Sequence, residues 1–310
     1  MNDQRIGNLT LPWRRRGAKH FTAPQYHHVH TLLKIFIITS LLVHSIATTD
    51  AFAKRQVNVL ILRDVVITPI IVEVIEDAID KSAADDAECL IIQLSTNGGM
   101  VDATQQIIEV LLNAEIPVVV YVAPRGARAF SAGTFILIAG HIAVMAPGTT
   151  TGAAHPVALP IVPQSEGESE RQREAEAIML DKLTKALVGT AKAVAEERKR
   201  KFEWAERVIL KSEALTAGEA VKCGLIDFIA EDLHDLVSKL DDRTVKVGKD
   251  TVTLRTKNAR INYLEMTPKQ KFLEKLSHPN MAFILLLVAM FGFLMEIYHP
   301  GAIIPAVVGS

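Results

Sequence analysis

"CLIIQLSTNGGMVDATQQIIEVLLNAEIPVVVYV", residues 89–122, decides the fold. Cys89 to Leu94 is a nearly continuous apolar run, the pattern of a strand buried on both faces. Two glycines, Gly98 and Gly99, end it. A helical spacing follows, with Ile107, Ile108, Leu111 and Leu112 on one side, and "IPVVVYVA" is a second buried strand. Strand, helix and strand within this length make a βαβ unit, and so a parallel sheet.

The same alternation extends both ways. Upstream, "VNVLILRDVV" is β-branched, and Ile71, Val74, Ile75, Ala78 and Ile79 have helical spacing. Downstream, "AGTFILIAGH" reads as a helix and "HIAVMAPG" as a short strand. The polar stretch 159–177 reads as a surface loop leading into the helix "AIMLDKLTKALVGTAKAVAEERKRK". In "LTAGEAVKCGLIDFIAEDLHDLVSKL", Thr216 and Glu219 have capping-box spacing, and Gly224 suits a helix C-terminus before the strand "LIDFIA". Residues 243–254 read as a hairpin around Gly248. Residues 255–280 read as a polar connector. The fold class is α/β.

The chain has 310 residues and a formal net charge of -1. It shows no basic excess and no motif for nucleic acid. Its mean hydropathy of +0.22 is high for a soluble protein, and the apolar excess sits at the ends. "WRRRGAKHF", then "IFIITSLLVHSIA" (35–47), then an A-x-A pattern at Ala51 to Ala53 reads as a signal peptide, with an uncleaved signal anchor as the competing reading. Residues 281–310 read as the start of a helical transmembrane region, short of a clean span before Glu296 and truncated in apolar sequence; a buried C-terminal helix is the alternative. The expected organisation is a leader over 1–53, a catalytic domain over 54–240, a hairpin and linker over 241–280, and a membrane region over 281–310. Cys89 and Cys223 carry no disulfide framework and read as buried free thiols. The histidines, including His27, His28 and His30 in the leader, have no metal-ligand spacing, so neither metal nor cofactor is expected.

Three features carry candidate chemistry. Gly98 and Gly99 stand between a strand and a helix, where backbone N–H groups can approach a developing anion; a plain turn is the alternative. Ser131 stands at the entry to an apolar helix, among Ala127, Ala129, Ala132 and Gly133. It is either a helix cap or a nucleophile. A serine nucleophile needs a base. His141 and His155 are available, with no carboxylate placed to orient either. Lys185 and Lys192 have acidic partners four residues away and read as solvated, whereas Lys182 has Ile178, Met179 and Ala186 as helical neighbours. Lys182 is either a snorkelling surface lysine or a neutral amine held among apolar groups.

In this order and spacing, "TNGG", "GARAFSAGT", "MAPGTTTGAAHPV" and "LTAGEAVKCGLID" resemble the membrane-bound Clp-class serine proteases of the NfeD (nodulation efficiency) type, with signal peptide peptidase A as a more distant relative. The likeness covers about residues 57–235, and "SHPNMAFILLLVAMFGFLMEIYHPG" is similar to the start of that family's membrane region. The resemblance implies a crotonase/ClpP-like ββα superhelix. It implies Ser131 as nucleophile, Lys182 as general base, and Gly98, Gly99 and the Ala132 N–H at the oxyanion hole. It implies a homo-oligomer, dimer or larger, and a stomatin-like membrane protein as substrate or partner, cleaved at hydrophobic sites. This chain departs from the family at Asn97, where proline is usual, and at Phe130, which would narrow the cleft beside the nucleophile. The basic leader flank places residues 54–280 on the extracytoplasmic, periplasmic side. Two rivals stand beside a Ser–Lys endopeptidase. One is a catalytically inactive membrane scaffold that binds a stomatin-like partner. The other is an acyl-CoA hydratase or isomerase of the same fold, which would need acidic catalytic groups and a CoA site.

Overall fold

A computed structural model of the chain describes residues 55–156, 170–204 and 206–298. The leader, most of the 159–177 loop and the tail beyond Tyr298 lie outside the described residues. β1 (Gln56–Arg63) and β2 (Val66–Ile67) lead into α1 (Pro69–Ala84); β3 (Cys89–Ser95) and β4 (Gly98–Gly99) lead into α2 (Val101–Asn113). β5 (Val118–Val122) and β6 (Arg128–Phe130) precede α3 (Ala132–Ala139), and β7 (Ile142–Met145) and β8 (Thr150–Gly152) follow it. The long α4 (Glu170–Glu197) is succeeded by a π-helical turn (Glu206–Leu210), β9 (Ala214–Thr216), α5 (Ala217–Lys222), β10 (Phe228–Ile229) and α6 (Leu233–Leu240). β11 (Thr244–Val247), β12 (Asp250–Thr253), β13 (Arg260–Leu264), α7 (Pro268–Leu276) and α8 (Pro279–Tyr298) complete the described chain.

The main sheet has six parallel strands in the order β10-β7-β5-β3-β1-β13. Its strands are apolar on both faces because both are covered. Leu62, Leu90, Ile92 and Val120 pack into one core with α1, α2, α3 and part of α4. Their alternating neighbours Val59, Ile91, Val119 and Val144 pack into a second core with α6 and the β11–β12 hairpin. The predicted capping box at Thr216 and Glu219 is present, and Gly224 takes φ +75 just past α5. Both cysteines are free: Cys89 is buried, with burial pushing its thiol up to about 12, while Cys223 is only half-buried.

Two stretches differ from the sequence reading. Residues 170–176 are already helical, because Arg, Glu and Ala favour helix even where no apolar stripe marks one. The stretch read as a polar connector holds β13, an edge strand of the main sheet, and α7, which packs on α1. Its polarity is partly buried hydrogen bonding: Asn262 Nδ2 donates to Asn58 Oδ1 at 3.0 Å, and the fully buried Asn58 donates to Ser82 Oγ at 3.1 Å. Those bonds pin the register of the edge strand.

His141 follows α3 and is 8% exposed. The Val118 N–H donates to its Nδ1 at 3.1 Å, so the neutral ring carries its proton on Nε2. Burial first, then Arg198 and Arg200, pull its pKa down to about 3. A depressed histidine pKa means that the unfolded chain binds the extra proton between about pH 3 and the ordinary value near 6.5. Stability is therefore present above pH 6.5 and is lost as pH falls toward 3. Thermal unfolding scans should show the wild-type midpoint dropping over that window, with a shallower slope for His141→Gln. An equal slope in the variant would remove His141 as the cause.

Candidate active site

Ser131 sits where β6 becomes α3, with φ 49 and ψ -115. That is the positive-φ region non-glycine residues avoid, at a strand-to-helix elbow of the kind that exposes a nucleophile. Its neighbours hold it there. The Ser131 N–H donates to the Gly152 carbonyl at 3.0 Å. Thr134 Oγ1 donates to the Ala129 carbonyl at 3.0 Å and accepts from the Gly152 N–H at 3.0 Å. Thr151 Oγ1 donates to the Ala129 carbonyl at 2.8 Å. The Ser131 side chain makes no capping hydrogen bond to the helix it precedes. The cap reading fails, and the hydroxyl is left for the cavity that Ser131 lines.

The Thr96–Gly99 turn is drawn to Ser131 by backbone pairing. The Thr96 N–H donates to the Arg128 carbonyl at 2.7 Å, and the Phe130 N–H to the Thr96 carbonyl at 3.1 Å. Gly98, at φ +126, lies against the nucleophile: a Cβ there would be 2.9 Å from Ser131 Cβ and 3.3 Å from its Oγ. Gly99 pairs with Ile67 so closely that an added Cβ would meet the Ile67 carbonyl oxygen at 2.1 Å. The Gly98 N–H is already donated to Thr96 Oγ1 at 3.0 Å. The Met100 N–H donates to Ile67 at 2.8 Å, which by strand alternation turns the Gly99 N–H to the other edge. The buried Ala132 begins α3, so its N–H has no acceptor within the helix. The N–H groups of Gly99 and Ala132 are therefore left open beside Ser131, while that of Gly98 is taken and its lack of a side chain lets the turn lie against the serine. Asn97, in the place where proline was expected, accepts a hydrogen bond from Arg128 Nε and ties the turn to β6.

Asn97, Gly99, Ser131 and Ala132 line a cavity of about 540 Å³. Its wall is mostly apolar, with Val66, Met100, Phe135, Pro156, Leu183 and Leu187, and it suits an apolar chain segment. Phe130 is not among the residues of that wall; Phe135, a turn into α3, is the aromatic that lines it. His155 lines the cavity, its Nδ1 3.2 Å from the Ile209 carbonyl, which leaves Nε2 as the acceptor when Nδ1 is protonated. His141 is separated from Ser131 by the length of α3, about 12 Å for its eight residues, and borders a different depression with Asp227 and Arg198. Lys182 is exposed on α4, beside the cavity-lining Leu183 but not itself on the wall. The apolar neighbours read as its shield, Ile178 and Met179, are 50% and 73% exposed. Ser131, Gly98, Gly99 and Ala132 are brought together; Lys182 stands at the margin.

Sequence reasoning missed Thr68. It stands at the N-terminus of α1 without a capping bond, and its buried Oγ1 has no partner on the cavity wall.

A family profile described as "NfeD1b, N-terminal domain" matches residues 57–250. The membrane-bound protease PH1510 of Pyrococcus horikoshii is 35% identical over 228 residues, 73% of this chain and 49% of that protein. Membrane protein NfeD1b of Bacillus subtilis is 27% identical over 234 residues, 72% of this chain and 47% of that one. The chain thus spans about half the length of the curated relatives it matches. Among solved structures, the 1510-N membrane protease specific for a stomatin homolog, also from Pyrococcus horikoshii, aligns with TM-score 0.60 and 31% identity over 73% of this chain and all of that one. A lysine-to-alanine mutant of the 1510-N stomatin-specific protease, in complex with a substrate peptide, aligns with TM-score 0.63 and 31% identity over 73% of this chain and 99% of that one. The fold is the ClpP-like α/β fold expected from the sequence.

Proposed function

The chain belongs to the NfeD1b N-terminal-domain family, and we propose that it is a membrane-held serine endopeptidase acting on hydrophobic segments of membrane proteins. The observation that carries this reading is Ser131: a strained elbow serine with an uncommitted hydroxyl, set against Gly98 and beside the free Ala132 N–H. A base takes the Ser131 hydroxyl proton as Oγ bonds to the scissile carbonyl carbon. The N–H groups of Ala132 and Gly99 hold the resulting oxyanion. The base returns the proton to the leaving amine, and water, activated by the same base, hydrolyses the acyl-serine ester.

Lys182 is our assignment for that base. Relatives solved as serine-to-alanine and lysine-to-alanine mutants support a Ser–Lys pair. A homo-oligomer that covered the exposed Ile178 and Met179 would also bring Lys182 under cover. His155 is the second reading, favoured by its place on the cavity wall. With a stomatin-type hydrophobic peptide, Lys182→Ala should lower kcat by a factor on the order of 10²–10⁴, and His155→Ala should leave kcat within about tenfold of wild type. The reverse result reassigns the base. A fluorophosphonate probe should label Ser131; absence of label on a folded chain that binds a stomatin-like protein would establish the scaffold instead.

The chain is associated with the membrane: α8 contains a 19-residue apolar span, and the relative PH1510 is membrane-bound. Our placement of the catalytic body outside the cytoplasm rests on the basic N-terminal leader. The lysines of α7 run against it by the same charge rule, but the leader inserts first and sets the orientation.

A further inference from the structure

Ser277 is the residue that closes α7, and it lines the same cavity as Ser131. Two positions later α8 begins, and its apolar span runs Asn280–Tyr298 with a mean hydropathy of 2.3 and 6% of it buried against the rest of the protein. At 1.5 Å per residue that span is roughly 28 Å long, which matches the hydrocarbon thickness of a bilayer. Asn280 is three positions after Ser277, and at ~3.5 Å per residue the cavity wall at Ser277 lies within about 10 Å of the start of the span. The headgroup layer is itself about 5–7 Å deep on each side. The cavity rim therefore lies in or just above that layer.

The helix before the span is built for the same place. α7 exposes Phe272, at 62%, together with Lys269 and Lys275, while Lys271 pairs with Glu265 at 2.8 Å. An aromatic ring with lysines on long apolar stems is suited to the boundary between headgroups and acyl chains. Met100 lines the cavity and is 51% exposed, so its rim is apolar as well.

We propose that the catalytic cavity opens onto the membrane surface, so that the chain selects the segment of a membrane protein lying immediately outside its transmembrane helix. The proposal rests on the endopeptidase reading and adds a positional rule to it: distance of the scissile bond from the bilayer, besides its sequence, decides cleavage.

The test uses the full chain in lipid vesicles. A fluorophore placed by Phe272→Cys, in a Cys223→Ala background with Cys89 left buried, should be quenched by nitroxide on lipid headgroups; an unquenched label overturns the placement whether or not the enzyme is active. In the same vesicles, single-span substrates carry one apolar cleavage segment directly outside the span, or after Gly/Ser spacers of about 10, 20 and 40 residues, the longest reaching roughly 35 Å on average. Cleavage should fall at least tenfold from the shortest to the longest, and a spacer of about 20 residues inserted after Ser277 of the enzyme should flatten that dependence. Equal cleavage at every distance would overturn the positional rule while the endopeptidase reading stands. Failure to cleave even the free soluble peptide would remove the endopeptidase reading, and the selection rule with it.

Discussion

Ser131→Ala should abolish peptide hydrolysis, lowering kcat by a factor on the order of 10⁴–10⁶, the scale on which serine hydrolases lose activity without their nucleophile. It should do so at almost no cost in stability. Ser131 makes no capping bond and its hydroxyl holds nothing in place, so the change removes chemistry and leaves structure. Were the serine a helix cap, the same substitution would cost about 1 kcal/mol. Ser131→Gly separates the two roles further. A residue at φ 49 and ψ -115 carries strain of about 1–3 kcal/mol, which alanine keeps and glycine sheds, partly offset by glycine's greater freedom in the unfolded chain. The glycine variant should be inactive yet melt a few degrees above wild type, at about 2–4 °C per kcal/mol for a domain of this size. Such a gain would mark the elbow as strain kept for function. Two variants both less stable than wild type, with measurable turnover, would return Ser131 to a structural role.

Much of this was legible in the chain because burial on two faces writes an unmistakable pattern. "CLIIQLS" and "VVVYV" became β3 and β5 of the parallel sheet, and Ile71, Val74, Ile75, Ala78 and Ile79 became the buried face of α1. Such runs have few competing readings. β13 was not legible, because an edge strand shows one face to water, and the asparagine that fixes it looks like a loop residue until its partner Asn58 is known. The first turns of α4 were missed because they lack an apolar face altogether. At the site, Ser131 and the glycines stood out by their place at strand–helix junctions, but the residues alone left a cap and a plain turn open, and only the family resemblance chose between the readings. Lys182 was harder. Its helical neighbours are apolar as the sequence says, but apolarity does not settle whether a face packs within the chain, and Ile178 and Met179 are exposed. Thr68 and Ser277 reach the cavity through tertiary packing alone, and no spacing in the sequence announces either.

Gly99→Ala should be the most damaging single-methyl change at the site. The added Cβ would lie 2.1 Å from the Ile67 carbonyl oxygen and 2.5 Å from the Ile67 nitrogen, both backbone atoms that no rotamer change can move. β2 and β4 would have to separate, and with them the wall that carries Thr68 on one side and the oxyanion donor on the other. The expected destabilisation is about 3 kcal/mol or more, in the range reserved for backbone conflict in a packed interior. On the proposed reading of the Gly99 N–H as an oxyanion donor, its displacement adds a fall in kcat on the order of 10²–10³ in whatever fraction stays folded. Gly98→Ala should fail differently. Its Cβ would press on Ser131 Cβ at 2.9 Å, and alanine is strained at φ +126, so activity should vanish with a smaller stability loss of about 1–3 kcal/mol. Gly189→Ala serves as the control: nothing lies within 4 Å of its Cβ position on α4, and alanine in a helix interior should stabilise by about 0.5–1 kcal/mol. Chemical denaturation and peptide turnover, run on all three, read the two consequences apart. A Gly99→Ala chain with wild-type stability and turnover would mean that β4 does not lie against β2 in the active protein, and the oxyanion hole would then have to be built from other donors.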